Sequence, residues 1–552
     1  MIREADRNRI LVVEAPTGYG KSIISQAVAL QSLEEGLKCI IAFPLRSLLE
    51  DQLSKFKAML SKLNHDERSI GVRYMHHPES KYLLRPISLT TIDTLSLTLF
   101  GIAPEDLEIA LRYYDGTSTW SMGHYLFSRS MVLLSDIILD EVHLLSDMTK
   151  SLNFLMALIW IMAGHGGRTI LMSATIPKVL EELLRREAGG VGLNFVKFSE
   201  NPDEAFLRER MKKKYEVNLE KLGNDKFEKI LGWLKEGLKE GFKRSIVIFN
   251  TIHEAIEFYK TAKEKLDFPR DRVLLLHSRF TKGDREIKEK MLEGLKGSDE
   301  YVIVATQVIE AGVDISSNLF ISDLAPASSL IQRLGRFLRY DGEVEGRVHL
   351  WYENDKGERY KGVYDKELFN KTLEFLESNS GIRFHDPESY RSMLNIVYDE
   401  SSFSLNMDEI MKLISISSTL RNPNQAIENF LSLEGSFVRE DALVPVIPRS
   451  LWNEGMPISQ LESRLVPIGL STLFNLKPTE KIIMSVDEPV KASKRPLSEK
   501  FWNMDRRKVL RCALSSGFIA FVIDGDYNED LGLVTKNGKS SKLFQERRTP
   551  HD

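Results

Sequence analysis

The chain has 552 residues, of which 42% are hydrophobic and 28% charged, and this composition predicts a globular protein with several domains. Its longest apolar stretch, residues 152–163, is too short to span a bilayer, and the N-terminus lacks a signal core. The two cysteines predict free thiols. We therefore expect a cytoplasmic protein that contacts no membrane. The formal net charge of −4 neither favours nor excludes nucleic-acid binding, because a protein that grips phosphates needs positive charge only locally.

The first predicted element is a strand–loop–helix unit that carries a phosphate-binding loop. An apolar run, Ile10–Val13, precedes the loop, and a helical pattern over Ile23–Leu30 follows it. The loop's glycines allow backbone N–H groups to face phosphates, Lys21 supplies positive charge, and Ser22 supplies a hydroxyl for Mg²⁺. An ordinary glycine-rich connection is the structural alternative. We predict nucleotide binding by Ala15, Pro16, Thr17, Gly18, Tyr19, Gly20, Lys21 and Ser22.

The second predicted site is an acidic pair that follows another apolar strand, Ser135–Leu139. An α/β ATPase needs a metal-binding carboxylate and a base at the carboxyl end of a buried strand. We predict that Asp140 holds Mg²⁺ and that Glu141 orients and polarises the attacking water. Taken alone, the pair would indicate a solvated turn, but together with the phosphate loop it indicates a nucleoside triphosphatase.

Further segments complete an ordered series that resembles the motifs of superfamily 2 helicases. In chain order these segments are Phe43–Leu48, Thr90–Asp93, Ser173–Pro177, Ser245–Thr251, His277–Phe280, Ala305–Ile315 and Gln332–Arg339. Each short segment is weak evidence, but the complete series in this order has no plausible accidental explanation. The resemblance implies an ATP-dependent helicase-type motor that uses ATP and Mg²⁺.

The same resemblance assigns roles to individual residues. It implies nucleic-acid contacts from Pro44, Arg46, Thr90, Thr91, Ser278, Arg279 and Thr306. It implies that Ser173, Ala174 and Thr175 couple hydrolysis to movement. It also implies that Gly312 and Asp314 lie at the nucleotide, Asp314 near the ribose, although an aspartate at a strand end is also a common structural feature.

The last motif supplies arginines from a distant part of the chain. A guanidinium at the γ-phosphate contributes on the order of 10³–10⁵ in rate. A helix would place Gln332, Arg336 and Arg339 on one face. The resemblance assigns Arg336 and Arg339 as arginine fingers and Gln332 to the γ-phosphate region, whereas Arg333 would face elsewhere and is compatible with a structural role. A second domain that carries this face would complete the site when the cleft closes.

A narrower resemblance is to the CRISPR-associated interference helicase of type I systems. It rests on Asp140–Leu145, Ser173–Pro177, Ala305–Ile315, Asp323–Pro326 and Leu330–Arg336. In that family the motor pulls single-stranded DNA 3′ to 5′ and unwinds target DNA marked by a guide-RNA complex. The resemblance therefore implies two partners, single-stranded DNA and a guide-RNA-bound type I CRISPR effector complex. The usual family member begins with a histidine–aspartate (HD) nuclease domain, whereas about ten residues precede the phosphate loop here.

Candidates for a nuclease elsewhere in the chain are few. His-Asp pairs occur at residues 65–66, 385–386 and 551–552, and His76 and His77 are adjacent. A nuclease centre needs several ligands that converge on metal ions, but each pair has a polar, turn-like setting without nearby ligands. We predict surface loops for all of them. We therefore expect a helicase-only chain that works with a separate HD nuclease subunit.

The alternation of strands and helices predicts parallel sheets with helices on both faces. We predict an α/β fold with two tandem RecA-like parallel-sheet motor domains and an accessory C-terminal domain of mixed α and β. The predicted bounds are 1–198 for the first motor domain, 199–214 for a linker, 215–378 for the second motor domain and 379–552 for the accessory domain. In the last of these, the basic stretch Lys491–Arg511 with Phe501 and Trp502 is compatible with nucleic-acid or partner contact or with a solvated helix face.

Two other functions stay open at this point. One is a different superfamily 2 enzyme, such as a repair helicase, an RNA helicase or an ATP-dependent duplex translocase. The other is a regulatory subunit that binds ATP as a switch without processive unwinding. A pure ATP-binding protein would not need Glu141, Gln332, Arg336 and Arg339, which favours the motor.

Overall fold

In the computed structural model, three sheets follow one another along the chain. The structure describes residues 9–74, 80–102, 107–117, 123–145, 148–165, 167–310, 313–353, 363–379, 381–418, 423–484, 491–515 and 517–535. Among these residues, no helix combines the length and the apolar character that crossing a bilayer requires.

The first sheet is all-parallel and has the strand order β3-β4-β2-β5-β6-β1-β7. Its strands are β1 Ile10–Glu14, β2 Cys39–Phe43, β3 Ile70–Arg73, β4 Ile87–Thr91, β5 Asp136–Leu139, β6 Thr169–Ser173 and β7 Leu193–Lys197. Strands β1 to β6 are buried along their full length because helices cover both faces, which is why they read as continuous apolar runs.

Helices connect these strands and build the two covering layers. They are α1 Lys21–Glu34, α2 Arg46–Lys62, α3 Ile92–Leu99, α4 Leu107–Tyr114, α5 Gly123–Leu133, α6 Thr149–Ala163 and α7 Lys178–Ala188. Helix α6 contains the longest apolar stretch of the sequence and is buried over almost all of its length. Its apolar character therefore reflects a core position between other elements.

The second sheet is also all-parallel and has the order β10-β11-β9-β12-β13-β8. Its strands are β8 Val217–Lys221, β9 Arg244–Ile248, β10 Val273–Leu276, β11 Tyr301–Ala305, β12 Leu319–Asp323 and β13 Arg347–Tyr352. The helices of this region are α8 Glu204–Met211, α9 Lys226–Lys239, α10 Ile252–Lys265, α11 Lys282–Leu295, α12 Ala327–Leu334 and α13 Lys366–Ser378. Helix α8 lies within segment 199–214, so the segment that we predict as a linker is partly helical.

The C-terminal region begins with helices and ends with a mixed sheet of order β15-β14-β18-β16-β17 and a separate hairpin. Its helices are α14 Pro387–Val397, α15 Met407–Ser418, α16 Pro423–Ser432, α17 Ile458–Ser463, α18 Leu470–Leu476 and α19 Arg506–Ala513. Its strands are β14 Leu443–Pro448, β15 Val466–Gly469, β16 Glu480–Met484, β17 Ala492–Pro496, β18 Phe518–Ile523, β19 Asp526–Asn528 and β20 Gly532–Val534. The predicted fold class, two RecA-like parallel sheets followed by a mixed α and β region, is confirmed.

The aromatic residues of the basic stretch belong to the core of this C-terminal sheet. Phe501 is buried, and the Trp502 indole N–H donates to the Pro478 carbonyl at 2.8 Å. Both rings pack against Phe521, at centroid distances of 6.0 and 5.8 Å. They are therefore committed to packing and are not presented for stacking on bases.

The C-terminal region contacts the parts of the chain that carry both parallel sheets. Arg391 Nη2 lies 2.7 Å from Glu14 Oε1, at the end of β1, and Arg439 pairs with Asp93 on α3. At the other end of the region, Asp530 pairs with Lys263 on α10 at 2.9 Å. These contacts connect the C-terminal region to both sides of the cleft that is described next.

Candidate functional site

The phosphate loop lies between β1 and α1, and its glycines have the backbone angles that this role requires. Gly18 and Gly20 have φ values of 84° and 95°, in the left-handed region that residues with a Cβ rarely adopt. Lys21 is the first residue of α1 and is 8% exposed; its Nζ donates to the Ala15 carbonyl at 3.2 Å. The loop therefore combines an inward ammonium with a helix N-terminus, an arrangement that favours phosphate.

The acidic pair lies opposite the phosphate loop because β5 and β1 flank β6 in the sheet. Lys21 Nζ is 3.8 Å from Glu141 Oε1, and the Glu141 N–H donates to Asp140 Oδ1 at 3.0 Å. Burial, together with the charge of Glu141, raises the pKa of Asp140 to about 7. This buried carboxyl group, which the charge of Lys21 reaches, suits Mg²⁺, which proteins bind with one or two carboxylates plus substrate phosphates.

Glu141 is held in an unusual backbone conformation. Its φ of 53° lies in the left-handed region, which costs a residue with a Cβ on the order of 1–2 kcal/mol. Burial alone would raise its pKa, but the charges of Lys21, His143, Arg336 and Arg339 hold the pKa below its usual value. Glu141 is therefore a carboxylate at neutral pH, as a base that accepts a proton from water must be.

The predicted coupling residues follow β6, between the acidic pair and the phosphate loop. Ser173 Oγ donates to the Thr175 carbonyl at 2.7 Å and lies 3.2 Å from His143 Nδ1. The same His143 nitrogen lies 3.4 Å from Glu141 Oε2. Ala174 and Thr175 are buried. A short polar path thus connects the acidic pair to Ser173 through His143, which lies within the segment Asp140–Leu145 but is not among the predicted site residues.

The predicted arginines do not lie on a helix, so the geometric part of that prediction is wrong. Helix α12 ends at Leu334, and Arg336 and Arg339 lie in the turn that follows, where Leu338 has a φ of 44°. Gln332 remains on the helix. We call residues 336–343 the arginine turn.

Hydrogen bonds fix Arg336 within this turn. Its Nε donates to the Ile309 carbonyl at 3.1 Å, and its Nη2 donates to the Glu310 carbonyl at 3.0 Å. Burial, followed by the charge of neighbouring Arg339, lowers the pKa of Arg336 to about 9. A buried guanidinium, Arg336, and a half-buried one, Arg339, that repel each other favour an anionic ligand.

Two buried donors on this side of the cleft lack a partner within the described part of the chain. They are Gln332 Nε2 and Arg339 Nη1. The Arg339 Nε is 3.2 Å from Asp314 Oδ1, so this side chain is held at a nitrogen other than Nη1. Because an unsatisfied buried donor costs about 1–3 kcal/mol, a phosphate that accepts from these groups would be stabilised. The residues present therefore fit a nucleoside triphosphate.

The two sides of the cleft face each other at close range. A Cβ placed on Gly335, just after α12, would lie 3.4 Å from Thr17 Cγ2 in the phosphate loop. The charges of Arg336 and Arg339 act on Glu141 across the same gap. The structure therefore brings Lys21 and Glu141 close to Arg336 and Arg339, which lie far from both of them in the sequence.

Asp314 and Gly312 are the two residues predicted at the nucleotide by the motif after β11. Asp314 pairs with Arg339 and, through Oδ2, with Lys296 at 3.5 Å. These cations, after the opposing effect of burial, lower the pKa of Asp314. Gly312 lies outside the described residues.

Arg333 has the structural role that its position suggested. It is fully buried; its Nε donates to Glu310 Oε1 at 2.8 Å and its Nη2 to Asn250 Oδ1 at 2.8 Å and to the Tyr364 hydroxyl at 2.6 Å. It therefore ties the segments after β9, β11 and β12 together behind the site.

The predicted nucleic-acid residues of the first sheet lie just after β2 and at the end of β4, on the other side of β5 from the phosphate loop. Arg46 pairs with Glu50 at 2.7 Å, and its guanidinium carbon lies 4.4 Å from the centre of the Tyr74 ring. Thr90 is fully buried, and its hydroxyl donates to the Arg73 carbonyl at 2.7 Å. Thr91 caps α3. The threonine hydroxyls are thus used within the protein, which leaves Pro44 and Arg46 as the more accessible pair.

The nucleic-acid residues predicted in the second sheet follow β10 and β11. Ser278 is exposed. Arg279 Nη1 donates to the Thr535 hydroxyl at 3.4 Å, beside the hairpin of β19 and β20. Thr306 is buried. Of these three side chains, Ser278 is the most accessible.

The surface-loop prediction for the His-Asp pairs is wrong for His385. This side chain is 6% exposed; its Nδ1 lies 3.0 Å from the Tyr215 hydroxyl, and its Nε2 lies 2.8 Å from the Phe337 carbonyl. His65 is partly exposed, and His76, His77 and His551 lie outside the described residues. Nowhere in the described residues do three or more His, Cys, Asp or Glu side chains form a group that could hold a metal ion.

Comparisons with known proteins match this geometry. The DEAD/DEAH box helicase family matches residues 1–183, and the family of the C-terminal region of the CRISPR-associated nuclease/helicase Cas3 matches residues 242–342. The CRISPR-associated nuclease/helicase Cas3 of Methanothermobacter thermautotrophicus is 25% identical over 416 residues, which cover 72% of this chain and 47% of that protein. This chain thus spans about half the length of that relative.

Solved structures share the fold. The crystal structure of T. fusca Cas3 with ADP has a TM-score of 0.64 at 16% identity and covers 95% of this chain and 68% of its own. A chain in the structure of a CRISPR RNA-guided surveillance complex, pre-nicking, has a TM-score of 0.55 at 18% identity and covers 95% of this chain and 66% of its own.

Proposed function

From the premise that this chain is an ATP-dependent superfamily 2 helicase similar to the Cas3 helicases, we propose that it moves along single-stranded DNA and unwinds target DNA in type I CRISPR interference. One observation carries the motor mechanism: the arginine turn of the second sheet faces Lys21 and Glu141 of the first. A nucleotide site divided between two domains is what converts hydrolysis into domain motion.

Each residue at the cleft has a distinct task in this proposal. Lys21 neutralises charge on the outer phosphates, and Glu141 orients the water and accepts its proton. Arg336 and Arg339 stabilise the charge that develops on the γ-phosphate, and Gln332 contributes a donor in the same region. Ser22 and Asp140 would hold Mg²⁺, which neutralises phosphate charge when bound.

Domain motion is then transmitted to the DNA. We propose the domain bounds 1–198 and 215–378 for the two motors, with 199–214 between them and 379–552 as the accessory domain. The strand ends after β2, β4, β10 and β11 form the proposed DNA path, with Arg46, Ser278 and Arg279 as phosphate contacts. Movement along this path proceeds 3′ to 5′, and Ser173 connects it to the acidic pair through His143.

A strand-displacement assay tests this proposal. We expect the purified chain with ATP and Mg²⁺ to displace a strand from duplex DNA that carries a 3′ single-stranded tail, and to do so poorly with a 5′ tail. The same assay on duplexes whose single-stranded tail is RNA shows whether the motor requires a DNA tracking strand. Displacement only on RNA, or hydrolysis of ATP without displacement of any tailed duplex, would assign the motor to one of the alternative functions.

We further propose that unwound DNA is cut by a separate HD nuclease subunit and that a guide-RNA-bound type I effector complex delivers the target. Residues 385–386 do not form a nuclease centre, because both nitrogens of the buried His385 face protein oxygens. The Cas3 relatives that match this chain carry both activities in their names, nuclease and helicase.

We expect the isolated chain to leave DNA intact while it hydrolyses ATP. The reason is that no metal cluster of the nuclease kind occurs within the residues described. The measurement is incubation of circular single-stranded DNA with Mg²⁺, Mn²⁺, Co²⁺ or Ni²⁺, read on a denaturing gel, with EDTA as the control. Metal-dependent degradation that persists through further purification would contradict the division of labour between two subunits.

A further inference from the structure

Segment 204–213, which consists of α8 and the two residues after it, touches both halves of the nucleotide site. We call it the bridging segment. Its helix begins after Asp203, whose carboxylate accepts from the Ala205 and Phe206 N–H groups at 2.9 and 3.0 Å. This capping gives a polar stretch of sequence a defined helical start.

One end of the contact is at the phosphate loop. Arg210 Nη2 donates to the Thr17 carbonyl, and a Cβ on Gly18 would lie 2.6 Å from the same nitrogen. The guanidinium carbon also lies 4.9 Å from the centre of the Phe206 ring, and that ring packs edge-on against Tyr19 at 5.1 Å. The phosphate loop therefore rests directly on side chains of the bridging segment.

The other end of the contact is at the arginine turn. The Lys213 side chain is almost fully buried, at 1% exposure, and its ammonium donates to the carbonyls of Leu338, Tyr340 and Glu343. The last two distances are 3.1 and 3.4 Å. Glu209 adds a bond, since it accepts from the Gly342 N–H at 3.3 Å. In the sequence, Arg339 lies between Leu338 and Tyr340, whose carbonyls both accept from Lys213.

A buried ammonium is unfavourable unless hydrogen bonds satisfy it, so the turn and Lys213 depend on each other. Leu338 has a left-handed φ of 44°, which the surrounding contacts must enforce. Arg210 and Lys213 are separated by three positions, so a short and rigid piece of chain connects the phosphate loop to the arginine turn.

We infer that the bridging segment is a strut that sets the distance between the phosphate loop and the arginine turn. Lys213 is the positioning residue for Arg339, and Arg210 is the positioning residue for the phosphate loop. The inference rests on the proposed function, because it gives Arg339 a role in hydrolysis. A linker without this role would connect the two domains without hydrogen bonds to the phosphate loop or to the arginine turn.

The test is a double-mutant cycle between Lys213 and Arg339, with single-turnover ATP hydrolysis as the readout. Lys213→Met removes the ammonium and keeps the length of the side chain. We expect the hydrolysis rate to fall about tenfold or more in the otherwise unchanged protein and by less than about twofold in the Arg339→Ala background. Lys229→Met is the matched control, because Lys229 is 45% exposed and pairs with Glu220, and neither residue belongs to the bridging segment or to the arginine turn; we expect no change.

The outcomes separate the strut from the proposed function. If Arg339→Ala alone leaves hydrolysis unchanged, the proposed function fails and Lys213 has nothing to position. If Arg339→Ala slows hydrolysis but Lys213→Met slows it equally in both backgrounds, or does not slow it, the strut is wrong. A loss of stability alone would reduce the active fraction in both backgrounds alike, so it cannot imitate the expected result.

Arg210 provides a second variant in case Lys213→Met does not fold. We expect Arg210→Met to raise the dissociation constant for ATP by about tenfold, since the phosphate loop loses its support, and Arg210→Lys to restore part of the affinity. Equilibrium titration with a fluorescent ATP analogue measures both. Equal affinity of Arg210→Met and the unchanged protein would overturn this half of the inference.

Discussion

Glu141→Gln should bind ATP and hydrolyse it about 10²–10⁴-fold more slowly than the unchanged protein, the loss that follows removal of a general base. Glutamine has the same shape but cannot accept the proton of the attacking water. The substitution should spare ATP binding. Lys21 Nζ lies 3.8 Å from Glu141 Oε1, and the lysine keeps its positive charge for the phosphates when the carboxylate is replaced.

The measurement combines single-turnover hydrolysis with equilibrium ATP binding. Glu182→Gln is the matched control, since Glu182 is exposed on α7 and pairs with Lys178 at the surface. Lys21→Ala should show the opposite pattern and lose affinity for ATP, because the phosphates lose their buried point charge. Full ATPase activity of Glu141→Gln would refute the assigned base.

The strands and the motifs at their ends could be predicted from the sequence because both follow from burial. The apolar strands predicted at Ile10–Val13 and Ser135–Leu139 agree with the observed β1 and β5 to within one residue. Strands covered on both faces read as apolar runs, and functional groups collect where parallel strands end. The phosphate loop, the acidic pair and Ser173 accordingly lie side by side at the ends of β1, β5 and β6.

The arginine turn could not be predicted because its shape is set by distant residues. The end of α12 at Leu334 has a local signal, because Gly335 follows it directly. The path of the turn has none, because Lys213 and His385 hold the carbonyls of Leu338 and Phe337, and these contacts are nonlocal. The same contacts explain why a histidine in a polar stretch is buried.

The sequence of the bridging segment contains a helix-start signal, but its charged composition predicted a linker. Its charged residues favoured a linker, whereas Asp203 two positions before Ala205 is a typical helix cap. The role of Arg210 at the phosphate loop, in contrast, depends on how the chain folds back, and nothing in its sequence neighbourhood indicates it.

Arg336→Ala and Arg339→Ala should each lower the rate of ATP hydrolysis by about 10³-fold or more, the scale of an arginine finger. Both guanidiniums act on Glu141 from the second sheet, and Arg339 Nη1 is buried without a partner among the described residues. ATP affinity should fall much less, because a finger acts mainly on charge that develops in the transition state. Strand displacement should fail together with hydrolysis, since closure of the cleft drives movement.

Whether the second sheet completes the nucleotide site can be decided by single-turnover hydrolysis beside equilibrium ATP binding for Arg339→Ala. Arg272→Ala is the control, because Arg272 pairs with Glu300 at the edge of the same sheet, at 2.7 Å. The account predicts a hydrolysis rate that falls about 10³-fold with nearly unchanged affinity for ATP. Equal losses in rate and affinity would make Arg339 a ground-state binding residue, and an unchanged rate would show that the second sheet does not complete the site.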